Sequence, residues 1–264
     1  MPNHSLQRLK VILIGSGNVA LHLGESLLAA DAEIVQVYSP NITHAKALAK
    51  KLKAKAISAI SKIDADHSLI ILAIKDDAIA EIVKKLKVSD GIVVHTSGSI
   101  SIDVLKKFPQ YGIIYPLQTF SKTRKVDFTN VPICIEGSDV STLMSISNVA
   151  ETISDCVYHL DSKQREAAHL AAVFANNFTN HMYAVAEEIL SKHKLPFDLL
   201  RPLIAETAAK VEEMSPSESQ TGPAVRNDKS VIKKQLALLK KDAASAKIYT
   251  DISAAIFKKA KQKK

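Results

Sequence analysis

The sequence contains no tryptophan, two cysteines, six tyrosines and seven phenylalanines in 264 residues. Two cysteines, Cys134 and Cys156, cannot build a disulfide framework, and no CxxC or Cys/His spacing offers a zinc site. No run of about 18 residues is free of polar side chains, which excludes a good membrane-spanning helix. Residues 1–9 are polar and run straight into a strand-like segment, so no secretory leader is expected. These absences point to a reduced, cytoplasmic protein with no membrane partner. Two further absences are local. There is no Asp or Glu between Glu33 and Asp64, and no charged side chain of either sign in residues 167–186.

What remains is an ordinary globular balance, 47% hydrophobic and 23% charged, long enough for one large domain or two ordinary ones. The net charge of +8 is unevenly placed. Residues 229–264 hold eleven lysines against Asp242 and Asp251, so the rest of the chain sums to about −1. The only aromatics in that basic segment are Tyr249 and Phe257, too few for a base-stacking platform. A lysine-coated surface helix with a frayed tail is expected there, and nucleic acid is not an expected partner.

The first half alternates strand-like and helix-like segments. Strands are expected at residues 9–14, 33–38, 56–57, 68–74, 91–95, 113–115, 131–136 and 156–160. Helices are expected at 19–30, 44–53, 77–86 and 141–154. The run SLIILAI at 68–74 is continuously apolar, as a strand buried on both faces of a parallel sheet requires. This order predicts an α/β, Rossmann-type doubly wound and mainly parallel sheet. After Leu160 only helical periods follow, so an all-α C-terminal domain is expected over residues 161–264 behind a dinucleotide-binding domain over 1–160.

Gly15-Ser16-Gly17-Asn18-Val19-Ala20 is a G-x-G-x-x-A motif that follows a strand and opens a helix. Gly15 allows the tight turn, Gly17 leaves room for a pyrophosphate, and Ala20 permits close helix–strand packing. Free N–H groups at the helix start, on Asn18 and Val19, would face the phosphates. NAD enzymes usually carry an acid at the end of the second strand, for the ribose 2′-hydroxyl. Here that stretch is Tyr38-Ser39-Pro40-Asn41, and Ser39, Asn41 and His44 could accept a 2′-phosphate. NADP is therefore favoured over NAD. Ala73-Ile74-Lys75 and Thr96-Ser97 end later strands and belong on the same sheet edge. A hydrolase reading of His95 and Ser97 fails for want of a G-x-S-x-G elbow.

In the helical half, a segment without charge on any face is expected to be buried on all sides. His169, Asn176, Asn177 and Asn180 form a polar stripe on it, and buried amides need partners. The stripe either bonds internally or faces a substrate. The segment Gln220–Asp228 carries Arg226, a cation able to clamp a carboxylate, with Arg201, Glu206 and Thr207 as possible supports. The alternative is a connector in which Arg226 pairs with Asp228.

With these residues assembled, the chain resembles an uncharacterised bacterial family that joins a Rossmann-like domain to a helical domain of unknown function. The matching stretches are GSGNVA at 15–20, HTSG at 95–98, YPLQTFS at 115–121, NNF at 176–178, LLRPLIAET at 199–207 and QTGPAVRND at 220–228. The layout is similar to that of pyrroline-5-carboxylate reductase and the 3-hydroxyacid dehydrogenases. The resemblance implies NADP-dependent reduction of a small C=O or C=N compound in an interdomain cleft, in a homodimer. The hydroxyacid dehydrogenases place a proton-donating lysine where this chain has Val173, and His169, one turn earlier, is the substitute candidate. Asn176, Asn177 and Arg226 would orient a small anionic substrate. The competing expectation is a dinucleotide-binding sensor or scaffold without turnover.

Overall fold

The computed structural model describes Leu6, residues 9–64 and residues 68–262. Most of the polar leader, and the lysine tail at 263–264, lie outside the described residues. The chain divides into two compact units, Met1–Asn177 and Phe178–Lys264.

The first unit is built on one eight-stranded sheet. In chain order it runs β1 (Lys10–Ile14), α1 (Asn18–Ala29), β2 (Glu33–Tyr38), α2 (Ile42–Leu52), β3 (Lys55–Ile57), β4 (Ser68–Leu72), α3 (Asp76–Lys85), β5 (Gly91–His95), β6 (Gln110–Pro116), β7 (Ile133–Gly137), α4 (Val140–Ile153), β8 (Val157–His159) and α5 (Ser162–Ala172). The strand order is β3-β2-β1-β4-β5-β6-β7-β8, so the direction of winding reverses between β1 and β4. All pairings are parallel except β6 with β7. This is the expected doubly wound sheet with one antiparallel step. β6 begins three residues earlier than the apolar run implied, because the polar Gln110 and the half-buried Tyr111 pair with β5.

Alternation along the central strands explains why both faces are covered. Val11 and Leu13 join one buried cluster with Leu69 and Ile71, while Ile12 and Ile14 join the other with Ile70 and Leu72. Each successive side chain points to the opposite face, so a run with no polar gap demands a layer on each side. Helix ends are set locally. Asn41 accepts from the Thr43 and His44 N–H groups at the start of α2. Asp139 caps α4, and Asp161 with Gln164 forms a reciprocal capping box on α5.

Beyond α5 the backbone widens into a π-helical segment, Val173–Phe178, which leads to α6 (Thr179–Lys192). The second unit also contains α7 (Arg201–Glu213), α8 (Pro223–Arg226), α9 (Lys229–Leu238) and α10 (Ala243–Gln262). A 2.9 Å ion pair between Lys192 and Asp242, and a hydrogen bond from Tyr249 to Gln235, tie its helices together. Within residues 215–228, α8 is a single turn opened by Pro223.

Two expectations for residues 167–186 are corrected. The absence of charge does not mean burial on all sides: Leu170 is 59% exposed, and no residue of α6 is buried. Asn176 and Asn177 are exposed rather than buried. The helical period was read correctly, but period alone cannot say what lies opposite each face.

Candidate active site

The turn after β1 is shaped by backbone. Gly15 sits at φ 123°, a left-handed conformation that other residues rarely adopt. A Cβ there would lie 2.1 Å from the Ala73 carbonyl oxygen. Gly15 therefore serves the fold. Gly17 is different. Its φ of −80° is open to any residue, and a Cβ there would meet nothing within 4 Å. Neither conformation nor internal packing requires glycine at 17. Gly17 also offers no side chain to cap α1, so the first-turn N–H groups lack partners within the helix.

These groups open onto a cavity of about 920 Å³. Gly15, Ser16, Gly17, Asn18 and Val19 form one wall, joined by Tyr38, Ser39 and Pro40 from the end of β2. Ala73, Ile74 and Lys75 after β4 and Thr96 after β5 line it too. All lie at the carboxyl edge of the sheet, at the reversal between β1 and β4, where ligands bind in open α/β folds. Empty space in place of a Cβ at Gly17, free helix-start donors and the cavity's size all fit a dinucleotide, its pyrophosphate against α1.

The segment after β6 lies over the same cavity. Asn18 Nδ2 donates to the Phe120 carbonyl at 2.7 Å, and His22 Nε2 lies 2.8 Å from the Ser121 carbonyl. Phe120 stacks between His22 and Phe128, with centroids 5.2 and 5.7 Å away. Leu117, Gln118, Thr119 and Phe120 thereby become lining residues. The strap's anchor lies about a hundred residues upstream, out of reach of any local sequence pattern.

At the other end of the cavity, His169 on α5 meets Tyr115 on β6. Tyr115 Oη is 2.8 Å from His169 Nδ1, and burial, reinforced by nearby Cys134, pushes the phenol up to about 12. Ala172, Val173, Ala175, Asn176 and Asn177 continue this wall. A π turn is often found at functional sites, and here it supplies four of those five residues.

Beneath the cavity, Arg165 is 1% exposed and pairs with Glu136, while donating also to the Ile100 carbonyl. Ser162 Oγ donates to Glu136 and accepts from Ile102 N–H at 3.1 Å. This network fixes the start of α5, and with it His169, against the loop after β5. His95 is fully buried and held near 4, first by burial and then by Arg165. Its Nδ1 accepts from Ser97 N–H at 3.1 Å.

Thirteen of the sequence-derived candidates therefore share one cavity: Gly15, Ser16, Gly17, Asn18, Val19, Ser39, Ala73, Ile74, Lys75, Thr96, His169, Asn176 and Asn177. Four do not line it. The Asn41 side-chain oxygen caps α2, and His44 stands exposed in that helix's first turn. Ser97 is buried below the wall, where its Oγ accepts from Ser99 and Ile100 N–H groups. Arg226 ends α8 in the second unit and is exposed, while Asp228 caps α9 through Val231 N–H. Arg201, Glu206 and Thr207 are taken up on or next to their own helix, by Asp198, Lys210 and the Leu203 carbonyl. Among the described residues, no cluster of potential ligands could hold a metal ion, and no helix is long and apolar enough to cross a membrane.

Residues 3–120 match a Rossmann-like domain, and residues 131–256 match the domain of unknown function DUF2520. A Bacteroides fragilis protein, provisionally described as an NADP oxidoreductase, is 42% identical over 97% of this chain and 99% of its own, with a TM-score of 0.90. The chain belongs to the family that joins these two domains. A protein from Thermotoga maritima is 24% identical over 95% of this chain and 99% of its own, with a TM-score of 0.81. The pyrroline-5-carboxylate reductase of Streptococcus pyogenes shares the fold at 14% identity, over 96% of this chain and 98% of its own, with a TM-score of 0.62. No curated protein matches the chain. The fold is thus one shared with reductases, as the resemblance to pyrroline-5-carboxylate reductase implied.

Proposed function

We propose that this protein is an NADP-dependent oxidoreductase that reduces a small C=O or C=N compound. The observation that carries the reading is Gly17: a glycine with an ordinary backbone, no neighbour at its Cβ position, and a place in the wall of a dinucleotide-sized cavity. A ligand approaching the backbone is the remaining reason for its lack of a side chain. Gly15, Ser16, Gly17, Asn18 and Val19 would hold the pyrophosphate, and Lys75 is the cation nearest in kind among the lining residues. Ala73, Ile74 and Thr96 would flank the cofactor. The end of β2 presents Tyr38, Ser39 and Pro40 to the cavity and no acid, which supports NADP over NAD. The description of the Bacteroides fragilis relative agrees.

The bound dinucleotide supplies a hydride. The residues of the chain then have three tasks: to orient the substrate, to exclude water and to deliver one proton. Asn176 and Asn177 offer donors and acceptors at the cavity wall. His169 is the proton donor in this reading, because Val173 stands where a lysine would and burial holds the neighbouring Tyr115 phenol up to about 12. A homodimer is also proposed: in the second unit Leu195, Leu199, Leu203, Val211 and Met214 are each more than 40% exposed, apolar surface that a second copy of the chain would cover. Two free cysteines suit a reducing, cytoplasmic setting.

Val173 also supports a second reading, a dinucleotide-binding sensor without turnover. One experiment separates the two. Thermal-shift titration with NADP and with NAD is followed by NADPH oxidation against a panel of small carbonyl and imine compounds. The oxidoreductase reading expects a larger midpoint rise with NADP and turnover of at least one panel member. Binding without any turnover favours the sensor, and a larger rise with NAD overturns the cofactor assignment.

A further inference from the structure

The tyrosine that ends the central run of β6 has so far only lined a wall. Its setting gives it a task, one that rests on the proposed role of His169. Tyr115 Oη lies 2.8 Å from His169 Nδ1, and the two rings meet edge-on at 5.9 Å and 74°. Burial keeps the phenol protonated far above neutrality. A neutral imidazole has one bare nitrogen and one N–H. The phenol can donate to a bare Nδ1 or accept from an Nδ1–H; when it donates, Nδ1 is the bare nitrogen and the ring's own hydrogen sits on Nε2. No hydrogen bond holds Nε2 among the described residues, and the ring lines the cavity.

A second observation says that the pair is built to stay in place. A Cβ at Gly98 would lie 2.7 Å from His169 Cγ and Nδ1, and 2.8 Å from Tyr115 Cζ. The backbone of the loop after β5 is therefore pressed against both rings at once. On the other side, Arg165 ties the first turn of α5 to Glu136 and to the Ile100 carbonyl. The loop backbone thus presses on both rings, and the buried ion pair anchors the helix that carries His169, which pre-organises a proton donor.

We propose that Tyr115 is the positioning residue of the proton-delivery step: its phenol selects the Nε2–H tautomer of His169 and refills the ring when that proton leaves. The balance is simple. The substrate's C=X carbon takes the hydride, and its heteroatom takes the proton from Nε2, giving CH–XH. The Tyr115 O–H proton passes to Nδ1, so the ring stays neutral; solvent then supplies a proton to Nε2 while the Nδ1 proton returns to the phenolate, which restores the starting tautomer with a net uptake of one proton from water. An alkoxide or amide anion is a much stronger base than a phenolate, so the transfer runs downhill.

The test uses the full chain labelled with ¹⁵N-histidine and needs no substrate. Long-range ¹H–¹⁵N correlation spectra are recorded at alkaline pH, and the His169 signals are assigned by their loss in His169→Gln. The wild type is expected to show a bare Nδ1 and a protonated Nε2. Tyr115→Phe is expected to redistribute the hydrogen between the two nitrogens. A wild-type ring protonated on Nδ1, or a tautomer unchanged in Tyr115→Phe, overturns the proposal. The wild-type spectrum decides even if the variant fails to fold. The NADP-induced midpoint rise, measured on the same samples, reports the dinucleotide reading separately, so either can fail alone.

Discussion

At the scale of single residues, the two glycines of the first turn do different work, and substitution should separate them. Gly15→Ala forces a side chain into a positive-φ position against the Ala73 carbonyl. It should cost on the order of 1–3 kcal/mol or more and lower the thermal midpoint, as a melting curve would record. His95 carries a pH dependence. Its folded value near 4 lies below the ordinary imidazole value of 6.5. The unfolded chain therefore binds more protons between these two values, and stability is lost as pH falls through that window. The loss should reach about 3 kcal/mol in urea midpoints taken from pH 7 to pH 4. His95→Gln, which cannot titrate, should flatten that limb. An unchanged limb would mean that another group sets it.

At the scale of elements, the start of α5 is the most heavily determined junction in the first unit. Asp161 and Gln164 cap it, while Ser162 and Arg165 bind it to Glu136 on β7. Arg165→Met keeps the volume but strands the Glu136 carboxylate, which is only 17% exposed. Breaking one side of a buried pair costs about 3–5 kcal/mol, so the midpoint should drop by roughly 10 °C in differential scanning calorimetry. A drop of a degree or two would show that the pair contributes little. The same elements explain what could be read from sequence. β2 and β5 match their expected bounds, because each is a short run with β-branched residues, followed by Ser39-Pro40 after β2 and opened by Gly91 in β5. The GSGNVA motif announced its own turn. The Tyr115–His169 contact did not announce itself, since the residues are 54 positions apart and meet only through the register of β6 beside the packing of α5. The π segment was also hidden, because an apolar helical period reads the same whether or not one turn is widened.

At the scale of the whole molecule, chain order alone revealed the doubly wound sheet and the all-α half. Surface exposure was not legible. The charge-free stretch at 167–186 suggested burial, yet Leu170 remains 59% exposed and the second unit displays Leu199 at 58% and Leu203 at 61%. If a second copy covers these leucines, light scattering after size exclusion should give twice the 28.7 kDa chain mass. Leu203→Glu should then shift the balance toward monomer, and a wild type that runs as a monomer at micromolar concentration would contradict the homodimer.

The central claim concerns Gly17 and is best tested by calorimetric titration of NADP into the wild type and into Gly17→Val. Position 17 has an ordinary backbone and open space where a side chain would project, so the variant should fold with an unchanged thermal midpoint. Its affinity for NADP should fall by at least about tenfold, which corresponds to roughly 1.4 kcal/mol. A variant that folds normally and binds NADP as tightly as the wild type would contradict the account.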